Sequence, residues 1–144
     1  MMRNGDTFAL KGNLVYTPFP EQIVSLPGHY LVCEEGTVAG TFSVLPERFR
    51  DIPVKDCGNS LIIPGFVDLH MHAPQYAMRG LGMDLQLLEW LETTTFPEEA
   101  RYGDLVYAEK AYRLFAGDLK KSSITRACIF ATVHADATLM LMQL

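Results

Sequence analysis

Short apolar runs alternate with polar turns over the first sixty residues of the chain. Residues 8–10 and 13–17 are predicted strands, separate from each other and ended by the prolines that follow, because proline donates no ladder hydrogen bond. Residues 30–33 and 37–42 flank a turn that contains Gly36, and this pattern predicts a β-hairpin. The N-terminal part of the chain is therefore predicted to consist of short strands joined by turns.

The pattern changes close to residue 60. Residues 46–51 predict a short helical turn or loop, and residues 54–57 predict one more strand. Residues 61–67 are then almost continuously apolar, as expected for a strand that is buried on both faces. Because Pro64-Gly65 interrupts this run, the strand itself is predicted over residues 66–70.

Helical periodicity follows this strand. Asp84 stands where it can cap a helix carrying the leucines of residues 85–91, and Pro97 with the acidic pair after it opens a further helical turn. Residues 104–121 have the clearest amphipathic pattern. The apolar positions that recur at helical spacing in this segment are Leu105, Ala108, Tyr112, Phe115 and Leu119.

A second apolar run over residues 124–133 predicts a second buried strand, which ends in His134, and a helical pattern begins at Ala135. The order strand, helix, strand, helix at this spacing predicts βα units around a parallel sheet. The expected fold class is therefore α/β.

Composition narrows the class of protein. The 144 residues are 49% hydrophobic and 20% charged, which is typical of a globular protein. A net charge of −5 gives no electrostatic basis for nucleic-acid binding, and no apolar run is long enough to cross a membrane. Residues 1–6 lack the apolar core of a signal peptide.

The cysteines are Cys33, Cys57 and Cys128, an odd and scattered set without Cys-x-x-Cys spacing. This argues against a disulfide framework and against a thiolate zinc site, and it favours the reducing cytoplasm. Cys128 stands inside the second apolar run and is expected to be buried as a small hydrophobic side chain.

The residues with the most distinctive chemistry are His70 and His72, which follow the first apolar run. Side chains two apart in a strand lie on the same face, about 6.6 Å from each other along the strand. Two imidazoles at a strand end can therefore turn towards one cation at roughly 2.0–2.1 Å each. The pair forms half of a possible metal site, although a lone His-x-His is also found among surface and core histidines.

Residues 64–72, Pro-Gly-Phe-Val-Asp-Leu-His-Met-His, resemble the first barrel strand of the amidohydrolase superfamily, whose His-x-His pair binds a catalytic metal. Four further stretches are similar to the guanine deaminase family within that superfamily. They are His-Ala-Pro-Gln-Tyr at 72–76, Leu-Leu-Glu-Trp-Leu at 87–91, Thr-Phe-Pro-Glu at 95–98 and Phe-Ala-Thr-Val-His at 130–134.

The resemblance implies the start of a metal-dependent (β/α)8 TIM barrel, preceded by the N-terminal part of a small β-sandwich. Residues 1–60 would belong to the sandwich, and residues 61–144 would form the first two βα units of the barrel. Because a whole barrel needs about 250 residues, the barrel is expected to be incomplete at this length.

The activity implied by the resemblance is hydrolytic deamination of guanine to xanthine and ammonia, a step of purine metabolism. One zinc or iron ion per complete active site would activate the water. His70 and His72 would be metal ligands, and His134 would face the mouth of the barrel. The residues implied to line the purine are His72, Ala73, Pro74, Gln75 and Trp90.

No catalytic proton carrier is expected within the chain, since the family supplies that glutamate and aspartate, with further histidine ligands, from later strands. We therefore expect the isolated chain to be inactive and the full-length enzyme to be a cytoplasmic homodimer.

Alternatives remain open at this point. The chain could belong to another amidohydrolase, such as a chlorohydrolase or a different aminohydrolase. It could also be an inactive shortened chain that only associates with partners through exposed strand edges. Trp90 has an alternative as a simple core residue, and His134 as a hydrogen-bond partner of a nearby loop.

Overall fold

A computed structural model describes the chain from Thr7 to Leu144, so the signal-peptide prediction for residues 1–6 lies outside the described residues. The chain forms two compact units, which meet in sequence between Pro64 and Gly65. The change of pattern in the sequence places this boundary after residue 60. In the structure, the next residues still belong to the last strand of the first unit.

The first unit contains a four-stranded sheet with the strand order β3-β2-β1-β4. Strand β1 (Phe8–Phe19) pairs antiparallel with β2 (Gln22–Glu34), which pairs antiparallel with β3 (Thr37–Phe42). Strand β4 (Val54–Ile62) runs parallel to β1 along its other edge. The predicted hairpin is confirmed, and its turn has Glu35 at φ 51° and Gly36 at φ 80°. Two successive positive φ angles give a turn whose twist matches that of the flanking strands.

The predicted break in the first strand is wrong, because β1 is continuous. The pairing of β1 with β2 shifts its register after Gly12, and the strand continues. A Cβ at Gly12 would come within 2.9 Å of Ile62 Cδ1. The glycine therefore marks a close approach of β4 to β1 rather than a strand end. Pro18 also lies within β1, at a second irregularity between Tyr16 and Phe19, where no regular ladder bond is needed.

The core of the first unit is small. Ala9, Val32 and Phe49 are buried together, and Phe49 belongs to a short 3-10 turn, Glu47–Phe49, which confirms the helical turn predicted there. The guanidinium of Arg48 covers the Phe49 ring at 4.1 Å from its centroid, which shields the edge of this cluster.

The second unit has a mixed α/β fold built around two parallel strands, β5 (Phe66–His72) and β6 (Ile124–Phe130). The predicted parallel pairing of the two strands is confirmed. The helices are α1 (Leu87–Trp90), α2 (Phe96–Ala100), α3 (Leu105–Leu119) and α4 (Ala135–Met142). Short 3-10 turns cover Pro74–Met78 and Arg101–Gly103, and a π turn covers Leu91–Thr95. None of the helices in the described part of the chain has the length and apolar character needed to cross a membrane.

Helix α3 organises the core of the second unit. Asp104 caps it, its carboxylate accepting from the backbone N–H groups of Val106 (2.9 Å) and Tyr107 (3.5 Å). The predicted apolar face is confirmed in its centre, where Ala108, Tyr112 and Phe115 are buried with Ala111. Leu105 is the exception: it lies in the first turn and remains 43% exposed.

The helical segment before α3, residues 87–100, differs from its prediction. Asp84 does not cap a helix; α1 begins at Leu87 after Gln86, with no side-chain cap. Helices α1 and α2 are joined without a break by the π turn. Pro97 has no N–H group to donate to the carbonyl of Thr93. The π turn just before it has a wider hydrogen-bond spacing, so the helix continues without that bond.

The expectation of two buried strands, the first of them buried on both faces, is wrong for the described residues. Phe66 and Val67 are each 54% exposed and Leu69 is 76% exposed. Only one further strand pairs with β5 within residues 7–144, so apolar side chains on the remaining faces have no covering layer. Strand β6 also ends at Phe130 rather than at residue 133, and Cys128 is exposed instead of buried.

Candidate metal centre and adjoining cleft

The two histidines at the end of β5 point to the same side, as the strand period predicts. The Nε2 atoms of His70 and His72 are 3.1 Å apart, and their ring centroids are 4.9 Å apart. The ring of Phe130, the last residue of β6, lies 4.7 Å from the His70 ring and 5.0 Å from the His72 ring. The parallel pairing of β5 with β6 therefore gives the imidazole pair an aromatic support.

The geometry of the pair fits two ligands of one cation. Two imidazole nitrogens at about 2.0–2.1 Å from a tetrahedral ion would be about 3.3 Å from each other. The observed 3.1 Å between the Nε2 atoms is close to that separation. Among residues 7–144, no group of three or more histidine, cysteine, aspartate or glutamate side chains is placed to hold a metal ion, so this pair is a partial site.

The loop that leaves the second histidine is held firmly. The backbone N–H of Ala73 donates to the carbonyl of Phe130 at 3.0 Å, which extends the strand pairing by one residue. The carbonyl of Pro74 accepts from the hydroxyl of Tyr102 at 3.1 Å. Ala73, Pro74 and Tyr102 are all buried, so these bonds fix the chain direction just beyond His72.

Gln75 lies beside the imidazole pair. Its Nε2 lies 3.0 Å from Glu99 Oε1 and 3.3 Å from His72 Nδ1. Both contacts are half-buried. A sequence stretch predicted to contact a ligand is therefore placed directly beside the second histidine.

A cleft of about 490 Å³ opens beside these residues, with His72, Gln75 and Trp90 among its lining side chains. Trp90 is fixed by a hydrogen bond from its Nε1 to the carbonyl of Leu81 at 3.0 Å. A Cβ at Gly82 would come within 2.7 Å of Trp90 Cδ1, and Gly82 has φ 66°, so only glycine suits this position. The structure therefore brings His72, Gln75 and Trp90 to one cleft.

His134 is placed differently from these residues. It precedes α4, and its ring packs so close to Gly103 that a Cβ there would come within 3.2 Å of His134 Cε1. Its Nε2 is buried and makes no hydrogen bond with residues 7–144. The recorded contacts place it against a neighbouring turn and not beside the histidine pair.

Buried tyrosines form the layer behind the cleft. Burial raises the pKa of Tyr102 above its ordinary value. Burial, and next the hydrogen bond to Glu98, raise the pKa of Tyr107 to about 12. Burial also raises the pKa of Tyr112, and the charge of Glu99 acts in the same direction. The hydroxyls of Tyr102 and Tyr107 stay neutral at physiological pH and donate to the Pro74 carbonyl and to Glu98, respectively.

Sequence reasoning missed Glu99 and Phe130 as neighbours of the histidine pair. Glu99 stands after Pro97 in the chain, where an acid is explained by the helix N-terminus alone. Its contact with Gln75 spans 24 residues and depends on how the helical segment packs. No local signal in the sequence reveals such a contact.

Comparison with known proteins identifies the family of the chain. The Amidohydrolase family profile matches residues 61–143. Guanine deaminase of Dictyostelium discoideum is 44% identical over 91 residues, which are 63% of this chain and 20% of that protein. Human guanine deaminase is 42% identical over 94 residues, 65% of this chain and 21% of that protein.

A solved structure extends the comparison over nearly the whole chain. The crystal structure of guanine deaminase from C. acetobutylicum, with guanine bound in its active site, superposes with a TM-score of 0.90 and 40% identity. The match covers 96% of this chain and 33% of that one. The chain thus spans about a fifth of the length of the relatives it matches and a third of the solved enzyme. Because the family profile matches more than half of its residues, the chain belongs to the amidohydrolase family.

Proposed function

We propose that the chain contributes the first metal ligands and part of the purine pocket of a guanine deaminase, which converts guanine and water to xanthine and ammonia. The observation that carries this proposal is the convergence of His70 and His72, with Nε2 atoms 3.1 Å apart, beside the Gln75 amide. The 40% identity to a solved guanine deaminase with bound guanine supports the choice of substrate.

The proposed metal ligands are His70 Nε2 and His72 Nε2. Imidazole nitrogens suit zinc, and they also bind iron, so one zinc ion is the first choice and iron the second. When bound, the ion supplies the activation of water that hydrolysis needs. The chain's own part is to hold the two rings in place, which β5, β6 and the Phe130 ring do.

The proposed purine contacts are His72, Ala73, Pro74, Gln75 and Trp90. Ala73 and Pro74 are buried and are not among the residues that line the cleft, so what supports their part is the fixed course of the chain between His72 and Gln75. The Gln75 amide lies beside them with hydrogen-bonding groups for the polar edge of a purine. Trp90 offers an indole face whose orientation is set by its hydrogen bond to the Leu81 carbonyl. The proton carriers are assigned to strands outside this chain, so no residue in it is proposed as catalytic.

The proposed architecture follows from the parallel pair of the second unit. Strands β5 and β6, with α3 between them and α4 after them, have the order of two βα units of a (β/α)8 barrel. The exposed apolar side chains on these strands are expected to be covered by neighbouring strands and helices of that barrel. The first unit is proposed as the N-terminal part of a β-sandwich.

Cellular context and assembly are also proposals. The three cysteines are free, which suits a cytoplasmic location. The net charge of −5 gives no basis for nucleic-acid binding, and guanine is the expected partner. A homodimer is expected for the complete enzyme.

A chimera tests the proposed function directly. The whole chain replaces the matching third of the C. acetobutylicum guanine deaminase. We expect this chimera to release ammonia from guanine, with xanthine as product, and to bind about one equivalent of zinc. His70→Ala should lower the rate by at least about a hundredfold, since removal of one ligand weakens the metal and misplaces the water.

The controls separate the assignment from its alternatives. His29→Ala replaces a histidine of the first unit whose one hydrogen bond among residues 7–144 is with the Pro27 carbonyl, and it should leave the rate unchanged. A chimera that hydrolyses a chlorinated ring or another aminated purine, but not guanine, would support a different amidohydrolase. Wild-type turnover in the His70→Ala chimera would refute the metal assignment.

The isolated chain provides the test of the association alternative. We expect it to bind metal weakly and to show no turnover of guanine, because two ligands make an incomplete site. Exposed apolar side chains on β5 and β6 are expected to cause self-association. A stable monomer that holds one equivalent of zinc and deaminates guanine would contradict both expectations.

A further inference from the structure

The contact between Glu99 and Gln75 fixes the direction of an amide group. A carboxylate only accepts hydrogen bonds, so the atom of Gln75 that lies 3.0 Å from Glu99 Oε1 must be the NH2 nitrogen. The amide oxygen is bonded to the same carbon and therefore turns away from Glu99. Within residues 7–144, no donor is recorded for Gln75 Oε1. The same nitrogen also lies 3.3 Å from His72 Nδ1, but that atom carries the proton when Nε2 binds a metal and then cannot accept, so Glu99 is the acceptor among the described residues that fixes the direction of the amide.

The adjacent acid has a different set of partners. Glu98 is bound by Arg101, with Nη1 2.8 Å from Oε2, and by the hydroxyl of Tyr107. Glu99 has no ion pair among the described residues and is half-buried, so its strongest recorded contact is the amide of Gln75. The two neighbouring glutamates therefore have different partners: Glu98 binds Arg101 and Tyr107, and Glu99 binds the amide of Gln75, whose side chain lines the cleft.

The surroundings of Glu99 strengthen its hold on the amide. Thr95, in the π turn of the helical segment, and Tyr112, on α3, are both buried. Burial raises the pKa of Tyr112, and the charge of Glu99 acts in the same direction, so the carboxylate lies within electrostatic reach of this buried hydroxyl. A charge-assisted hydrogen bond in such poorly solvated surroundings is stronger than one exposed to water.

We propose that Glu99 is a positioning residue, which holds the NH2 group of Gln75 so that the amide oxygen is presented as an acceptor to N–H donors of the bound purine. This proposal rests on the proposed function and deepens it. Guanine carries N–H donors on its ring and its exocyclic amine, which can donate to the amide oxygen. A purine edge that carries only acceptors would instead be repelled by that oxygen. Glu99 would thereby set the donor–acceptor pattern of the site without touching the substrate.

The first test measures the Gln75 amide in the 144-residue chain by nitrogen-15 NMR. The signal of its NH2 group is assigned from its loss in Gln75→Glu. Glu99→Met keeps a similar side-chain length but removes the acceptor. We expect the NH2 hydrogens to exchange with solvent about tenfold faster in this variant, which corresponds to the loss of one hydrogen bond. Glu99→Gln retains a neutral acceptor and should give an intermediate rate.

The matched control is Glu92→Met. Glu92 is exposed, lies in the same helical segment and has no recorded hydrogen bond or ion pair in the described part of the chain. The exchange rate of the Gln75 amide should stay within about twofold of the wild type in this control. Wild-type exchange in Glu99→Met would overturn the proposal. If Glu99→Met does not fold, wild-type exchange in Glu99→Gln has the same consequence.

The second test uses the chimera described under the proposed function. Glu99→Met should raise KM for guanine about tenfold and change kcat by less than about threefold, because a contact made in both the ground state and the transition state affects binding alone. Glu99→Gln should recover part of the affinity. A fall in kcat with KM unchanged would contradict a positioning role exerted through Gln75.

The two tests fail in distinguishable ways. If the unmodified chimera does not deaminate guanine, the proposed function fails, while the NMR experiment still shows whether Glu99 orients the amide. If the chimera is active and the amide exchange is insensitive to Glu99, the positioning role fails and the proposed function stands.

Discussion

The helical layer and the parallel strands of the second unit are both rich in apolar residues, yet they bury them to different extents. On α3, Tyr112 is fully buried and Phe115 is 6% exposed. On β5, Val67 is 54% and Leu69 is 76% exposed. Only the end of the strand, at Met71, packs against the cluster that α3 organises.

The difference shows which kind of neighbour each element needs. The partners of α3 are close in sequence or already present: the turn containing Tyr102, the loop residue Ala73 and helix α4 with Ala137. A strand in a parallel sheet instead needs strands on both edges and layers on both faces. Within residues 7–144, β5 has one neighbouring strand, β6. The candidate metal ligands thus stand on the less covered of the two regions.

The largest effect on stability is expected from a cavity in the helical layer around α3, which is the covered one of the two regions. Phe115→Ala should lower the free energy of unfolding by about 3–5 kcal/mol, because it removes a buried aromatic side chain and leaves a cavity. The matched substitution in the uncovered region, Leu69→Ala, should change it by less than about 0.5 kcal/mol. Urea unfolding followed by circular dichroism measures both. Equal losses in the two variants would abolish the proposed contrast between helix and strand.

A smaller effect is expected at the start of the covered helix. Asp104→Ala removes the acceptor of the Val106 and Tyr107 backbone N–H groups, so it should cost about 1 kcal/mol. Asp104→Asn keeps a capping side chain and should lower the free energy of unfolding by only a few tenths of a kcal/mol. The same urea experiment decides the outcome. If the alanine variant is as stable as the wild type, the cap does not contribute to the helical layer.

The features that sequence predicts correctly are those set by local chemistry. Helix α3 has its cap and its apolar spacing in consecutive residues, and the hairpin has Gly36 in its turn. The His70–His72 pair is likewise a local feature of one strand. The exposure of β5 could not be predicted, because an apolar pattern describes what a strand would bury and not which neighbours surround it.

Other features depend on contacts between distant segments. The π turn before Pro97 and the failure of Asp84 to cap α1 result from how the helical segment continues past the proline. The bond from Gln75 to Glu99 joins residues 24 apart, and Glu99 has the sequence context of an ordinary acid at a helix start. The half of the site that lies on one strand could therefore be predicted, while the groups that orient it could not.

The tyrosines of the covered layer predict a pH dependence of stability. The pKa of Tyr107 is raised to about 12 from 10.0, mainly by burial and then by its hydrogen bond to Glu98. The unfolded chain would lose this proton first, so the stabilisation is fully present below pH 10 and is lost as pH rises through about 12. Urea unfolding across that range should show the decrease, and Tyr107→Phe should make it shallower. An unchanged slope in that variant would remove Tyr107 as its source.

The smallest effect on stability, and the most informative for the uncovered region, is expected from Leu69→Lys. Because Leu69 is 76% exposed, its replacement should change the free energy of unfolding by less than about 0.5 kcal/mol. It should nevertheless reduce self-association of the isolated chain, since a charge on an open strand face opposes pairing with a second copy. Analytical ultracentrifugation over a range of concentrations measures this. Leu119→Lys, in the partly buried helical layer, is the counterpart that should cost stability without relieving association. If Leu69→Lys destabilises the chain as strongly as Leu119→Lys does, β5 is covered in solution by a layer that residues 7–144 do not provide.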